Sequence, residues 1–138
     1  MIPDKIDLEI VTPERLVLSE TVDSVILPGS EGYFGVLPSH APFFTSLAAG
    51  EIEMFAAGKK RFLAVSGGFA EVLRDRVSVL AETCELAEEI DVERADRSRK
   101  KAEETLGAAD VSAAEFARAE ARLKRAIARI QSGKRIGR

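Results

Sequence analysis

At 138 residues, 46% hydrophobic and 31% charged, with a net charge of −3, the chain has the composition of one globular domain or one domain with a small appendage. Its longest apolar runs are only a few residues, far short of the ~20 that cross a bilayer. A single cysteine, Cys84, excludes an internal disulfide and a cysteine-based zinc site.

The opening "MIPDKIDLEIV" lacks the basic start and long apolar run of a secretion signal, so a cytosolic chain is expected. Ile6, Leu8 and Ile10 alternate with Asp7 and Glu9, the period of a strand with one face buried. "TVDSVILP" reads as another strand. Next comes "LPGSEGYFGVLPSHAP", residues 27–42, with three glycines, three prolines, adjacent Tyr33 and Phe34, and the sole histidine, His40. Its glycine spacing matches neither the dinucleotide nor the P-loop pattern, and Glu31 would repel a phosphate. No cysteine, second histidine or spaced carboxylate set accompanies His40, so a metal centre or a hydrolase built on it lacks partners. The simpler reading makes His40 a loop anchor bonded to backbone. Two aromatics at a turn beside an acid suit a docking surface; the alternative is that Phe34 is core and only Tyr33 is exposed.

"GEIEMFAAG", "KKRFLAVSGG" and "DRVSVLAE" continue the strand pattern, with a hairpin tip at Gly58 and another connection near Asp75. Cys84 reads as a small strand-end residue, since the only candidate base is far away in sequence. Eight to ten short strands in under 90 residues predict an antiparallel sandwich or barrel. No strand–helix–strand alternation suggests a doubly wound nucleotide fold.

The pattern changes at residue 90. Residues 1–89 carry 15 acidic and 7 basic side chains, a net −8, whereas residues 90–138 carry 8 acidic and 13 basic, a net +5. From Arg118 onward eight basic residues face one acid, Glu120. Asp91 is placed to cap a helix in which Val92, Ala95, Ala102 and Leu106 recur, and Gly107 ends it. Ser112 and Glu115 form a capping box for a second helix with an apolar stripe of Phe116, Leu123, Ile127 and Ile130. Two helices joined by about four residues make an antiparallel hairpin. Its alanine-rich seam buries little area, so it is held only weakly.

"LPGSEGYFGVLPSHAP" followed by "LAAGEI", "SGGFAEVLRDRVSVLAE" and "IDVERA" resembles, over essentially the whole chain, the epsilon subunit of bacterial F-type ATP synthases. The resemblance implies an N-terminal all-β sandwich of about ten antiparallel strands, residues 1–89, and a C-terminal regulatory two-helix hairpin, residues 90–138. It implies a non-catalytic rotor subunit that ties the gamma shaft to the c-ring and inhibits ATP hydrolysis. Such a subunit would lie on the cytoplasmic face of the bacterial plasma membrane, peripheral and attached only through the complex. The turn at Glu31, Gly32 and Tyr33 would face the c-ring, and His40, Ala41 and Pro42 would lie towards gamma. Tyr33 stands where other members often carry an acid, so the contact expected there is aromatic.

"IDVERA" matches the family's nucleotide motif with Ile90, Asp91, Arg94 and Ala95. The resemblance implies a regulatory ATP, with no cofactor required, held by Asp91, Arg94, Arg125, Arg129 and Glu85. Arg97, Arg99 and Lys101 are further candidates, Lys101 standing at the position where some members have arginine. Arginine forks suit phosphate oxygens, and Asp91 suits an adenine amino or ribose group. The same residues also have purely structural uses, Asp91 as a cap and Arg94 in a surface ion pair. Arg118, Arg122, Lys124 and Arg125 form a basic face suited to acidic surfaces on the catalytic beta and alpha subunits. Nucleic acid is disfavoured by the acidic first part and the lack of an aromatic stacking platform. The alternative is a free-standing nucleotide-sensing module outside any complex.

Overall fold

A computed structural model describes residues 4–136; the first three residues, and Gly137 and Arg138 at the end of the basic tail, lie outside the described residues. The strands are β1 (Ile6–Val11), β2 (Leu16–Val22), β3 (Ser24–Gly29), β4 (Gly32–Val36), β5 (Phe43–Ser46), β6 (Gly50–Ala56), β7 (Lys59–Val72) and β8 (Arg76–Leu86). A 3-10 turn at Ala87–Glu89 leads to helices α1 (Val92–Leu106) and α2 (Ala113–Lys134).

Hydrogen bonding orders the strands β2-β1-β8-β7-β6-β3-β4, with β5 also paired to β7. Ile6, Leu8 and Ile10 are buried and Asp7 and Glu9 exposed, as the alternation requires. At the β6–β7 tip Ala57 and Gly58 have φ of 53° and 76°, the left-handed pair that a two-residue hairpin between right-twisted strands demands.

The expected ten antiparallel strands are corrected in two respects. The described residues form eight, because β7 and β8, of 14 and 11 residues, each run through both layers of the sandwich. Divided at their common bend they would make ten segments. One ladder is parallel: β1 runs beside β8 from Asp7↔Arg76 to Val11↔Leu80. Alternation in sequence fixes which face of a strand is buried and says nothing of strand direction.

The bend has a definite cause. Leu63 and Val65 point inward before it on β7, and Ala70 and Val72 after it. Opposite, Val77, Val79 and Ala81 point inward on β8, then Cys84. Inward parity therefore switches from odd to even on β7 and from odd to even on β8 at the same level. Gly67 and Gly68 supply the required φ of +64° and +107°. Folded at this bend, one continuous sheet encloses one core contributed by β1, β2, β3, β4, β6, β7 and β8.

A separate small cluster, Ala64, Ile90 and Ala128 with Val92 against it, joins sandwich to hairpin. Asp91 Oδ1 accepts from the Arg94 N–H at 3.0 Å, and Ser112 Oγ from the Glu115 N–H at 3.1 Å, so both caps form. The expected stripe on the second helix is corrected. Phe116 and Ile127 are 45% and 41% exposed, whereas Ala119, Ala126, Ala128, Ser132 and Gly133 are buried. α2 has α1 on one side and the sheet on another, and close approach on both sides selects small residues.

Gly68 gives the sharpest test of the bend. A Cβ there would lie 2.0 Å from the Leu80 carbonyl oxygen, at a φ that also disfavours it. Gly68→Ala is expected to cost about 3 kcal/mol or more of unfolding free energy, measured by urea denaturation, against under ~1 kcal/mol for Gly35→Ala, whose Cβ would meet open space.

Candidate functional site

Three regions of the fold gather the residues singled out in the sequence, a fourth holds residues that were not, and they differ in how far they are assembled. In the loop after β4, His40 Nδ1 donates to the Ala41 carbonyl at 2.7 Å, and its ring stands 6.4 Å from that of Phe43. No carboxylate or nucleophile pairs with this imidazole among the described residues. The ring is the backbone-bonded anchor of its loop. Ala41 and Pro42 are exposed beside it. Phe34 packs against the core and meets Phe43 edge-on at 5.3 Å, while Tyr33 is 60% exposed. The β3–β4 turn thus presents Glu31, Gly32 and one aromatic, Tyr33, to solvent.

The nucleotide candidates are partly assembled. Glu85, near the end of β8, and Arg129, on α2, lie 44 positions apart in sequence and meet as a forked ion pair, Nε–Oε1 at 2.6 Å and Nη2–Oε2 at 3.3 Å. Asp91 is engaged as the α1 cap through one oxygen. The side chains of Arg94 and Arg125 have no hydrogen-bond or ion-pair partner among the described residues. Arg125 lines a groove with Leu47, Ser66, Gly67, Glu82 and Lys124, and that groove does not include Asp91, Arg94 or Arg129. On α1, Arg99 is taken up by Asp96 and Glu103, while Arg97 lines a cleft with Asp96, Ile130 and Lys134.

The basic face is unpaired. Arg118, Arg122, Lys124 and Arg125 have no acidic partner among the described residues, although Glu82 and Glu120 share the groove of Lys124 and Arg125. Cations left without intramolecular partners are available to another surface.

Sequence reasoning missed the fourth region. Phe44, Phe69 and Leu80 are 65%, 50% and 60% exposed, and the two phenyl rings stack with centroids 5.7 Å apart. A groove of about 370 Å³ lined by Val11, Pro13, Phe69, Leu80 and Ala81 continues the stripe. An apolar run of this kind on an otherwise charged chain marks a binding surface. The signal was present in the sequence as Phe69 and Leu80 at positions whose neighbours alternate. It could be used only once the parity switch at Gly67 and Gly68 showed that these two side chains point outward.

Two other groups stand outside these regions. Arg15 forks onto Glu89 at 2.9 and 3.3 Å, tying the 3-10 turn back to the start of β2 and holding the Glu89 carboxyl below the usual carboxylate range. Cys84 is buried in the sandwich, which pushes its thiol up to about 12 and keeps it protonated and inert.

Comparison with known proteins covers the whole fold. Residues 5–87 match the model for the ATP synthase delta/epsilon chain beta-sandwich domain, and residues 88–132 the long alpha-helix domain of the same chain. The chain is 53% identical to the ATP synthase epsilon chain of Nitratidesulfovibrio vulgaris, covering 90% of this chain and 92% of that one. It is 52% identical to that of Syntrophobacter fumaroxidans, with 93% and 95% covered. Among solved structures, a chain of the Euglena gracilis mitochondrial ATP synthase, in its OSCP/F1/c-ring assembly, superposes with a TM-score of 0.80 at 29% identity, covering 90% of this chain and 78% of that one. A chain of the Tetrahymena thermophila central stalk and c-ring shares the fold, with a TM-score of 0.67 at 14% identity.

Proposed function

Since this chain belongs to the ATP synthase delta/epsilon family, we propose that its sandwich seats the subunit between the gamma shaft and the c-ring while its hairpin regulates the motor. It is a non-catalytic, epsilon-type subunit of ATP synthase. The match of both domains along nearly the full length of bacterial epsilon chains carries this reading. No helix among the described residues is long and apolar enough to cross a membrane. We assign the subunit to the cytoplasmic face of the bacterial plasma membrane, attached through the complex.

The division of labour follows from the two separate clusters. The apolar stripe of Phe44, Phe69 and Leu80 belongs wholly to the sandwich, and so does the loop bearing His40, Ala41 and Pro42. These are the surfaces we assign to gamma. The exposed turn of Glu31, Gly32 and Tyr33 is assigned to the c-ring. Phe69→Asp with Leu80→Glu, both on exposed positions, should leave the chain folded and abolish its co-purification with gamma. Undiminished gamma binding by this double variant would move the interface elsewhere.

The hairpin is assigned to a regulatory ATP and to inhibition. Two free guanidiniums, Arg94 and Arg125, support the nucleotide reading, and a triphosphate would draw Arg129 away from Glu85. Loss of one charged hydrogen bond costs ~1.5–3 kcal/mol, so Arg94→Ala should weaken ATP binding to the isolated chain by roughly ten- to a hundredfold in calorimetry. Unchanged affinity would leave Asp91 and Arg94 as a helix cap and its neighbour.

In the extended state we propose that Arg118, Arg122, Lys124 and Arg125 meet acidic residues of the catalytic beta and alpha subunits and halt rotation in the hydrolysis direction. ATP favours only the docked form and shifts the population by its differential affinity. Replacing the four basic residues with alanine should relieve inhibition of ATP hydrolysis without disturbing assembly, and added salt should do the same in part. Full inhibition by the alanine variant at low salt would leave only a steric block.

A further inference from the structure

The end of α2 meets the sandwich at a polar node used neither by the nucleotide candidates nor by the apolar stripe. Glu51, on β6, has a side chain only 12% exposed. Its Oε2 accepts from Ser132 Oγ at 3.0 Å and from Arg135 Nε at 3.3 Å, and its Oε1 from Arg135 Nη2 at 3.1 Å. The Arg135 guanidinium also lies 4.5 Å from the centre of the Phe62 ring. Ser132 is completely buried. Beside it Gly133 comes so near to the start of α1 that a Cβ would lie 2.5 Å from Val92 Cγ2.

The same residue reaches the other way. The Glu51 backbone N–H donates to Tyr33 Oη at 3.0 Å. The tyrosine closes over Gly50, where a Cβ would lie 2.5 Å from that hydroxyl. Tyr33 belongs to β4, next to the exposed β3–β4 turn. Glu51 thus holds the last turn of α2 with its side chain and the flank of the β3–β4 turn with its backbone.

We propose that Glu51 is the latch that keeps the hairpin docked, and that Tyr33 makes this latch responsive to occupation of the β3–β4 turn. The proposal rests on the reading of the hairpin as a mobile element. Apart from this node, the footing of α2 on the sheet is a cluster of two alanines with Ile90 and the Glu85–Arg129 pair. Hydrogen bonds to an ionised carboxylate are roughly twice as strong as neutral ones, so three of them on one nearly buried group weigh heavily in that footing. The turn would be occupied by the polar surface of the c-ring. A contact there that displaces the Tyr33 ring also displaces its hydroxyl from the Glu51 amide and shifts the strand that carries the carboxylate.

Amide hydrogen exchange of the full-length chain tests both halves. Glu51→Gln keeps shape and an acceptor but removes the charge. Tyr33→Phe removes only a hydroxyl from an exposed ring. Glu71→Gln, on β7 and away from Arg135, is the control. Exchange in the last two turns of α2 should quicken about fivefold or more in Glu51→Gln and about two- to threefold in Tyr33→Phe, with β1 and β8 unchanged. Wild-type exchange of α2 in Glu51→Gln, or an equal rise in β1 and β8, would overturn the latch. Wild-type exchange in Tyr33→Phe would overturn the coupling. Because the readout needs no partner, faster exchange without any change in ATP hydrolysis would sink the inhibition reading and still support the latch.

Discussion

The close crossing of β7 over β8 at Gly67 and Gly68 is the constraint on which the other features depend. It reverses which side of each strand faces the core, and so it divides the outer surface of the same two strands into regions of opposite character. Before the bend, β7 turns Ala64 and Ser66 outward, where the hairpin covers them. Ser66 bonds to Thr83 of β8 at 2.7 Å, so that surface is small and partly polar. After the bend, Phe69 and Leu80 face outward, large and apolar. One kink thus provides a small, partly polar footing for a helix pair and a large apolar patch on the same two strands. Without it, one face of β7 would be buried along its whole length and the two surfaces could not coexist on one strand pair.

The footing of the hairpin on the sandwich combines a small apolar contact with a few polar pins. Burial of apolar area contributes ~25 cal/mol per Å², and the cluster that joins hairpin to sandwich is small: Ala64, Ile90 and Ala128 with Val92 against it. Specificity comes from polar pins, Glu85 with Arg129 and Glu51 with Ser132 and Arg135. The sandwich core is a cluster separate from the one under the hairpin. Small apolar area and well-placed charges together give a contact that is definite in geometry and modest in strength.

The sequence disclosed what is local. The Gly58 tip, the Asp91 and Ser112 caps and the stop at Gly107 are set by residues within one turn, and the alternation over residues 6–10 assigned faces correctly. It failed where the outcome depends on a neighbour distant in the chain. The large side chains Phe116 and Ile127 suggested the buried stripe of α2, but a helix wedged between another helix and a sheet buries its smallest residues. Glu85 and Arg129 could be linked only through family resemblance, since nothing local joins positions 44 apart. Glu51 and Arg135, 84 apart, carried no signal at all. Strand direction was equally hidden, and with it the parallel ladder between the first and last strands.

That parallel ladder orders events at the ribosome. β1 is a central strand, flanked by β2 and by β8, whose Arg76–Leu86 segment is made some seventy residues later. Until β8 emerges, β1 and β2 are only a two-stranded ribbon, which has marginal stability in water, and one long edge of β1 stays unpaired. The core can therefore close only when the last strand arrives, in a single late step dominated by non-local pairing, which is intrinsically slow. Residues 90–138 are translated during that interval, so the basic hairpin comes off the ribosome as its landing surface is being completed. Nascent chains of this kind carry an exposed strand edge through most of their synthesis. The charges at Asp7 and Glu9 on that strand are in position to discourage pairing with other chains while it waits.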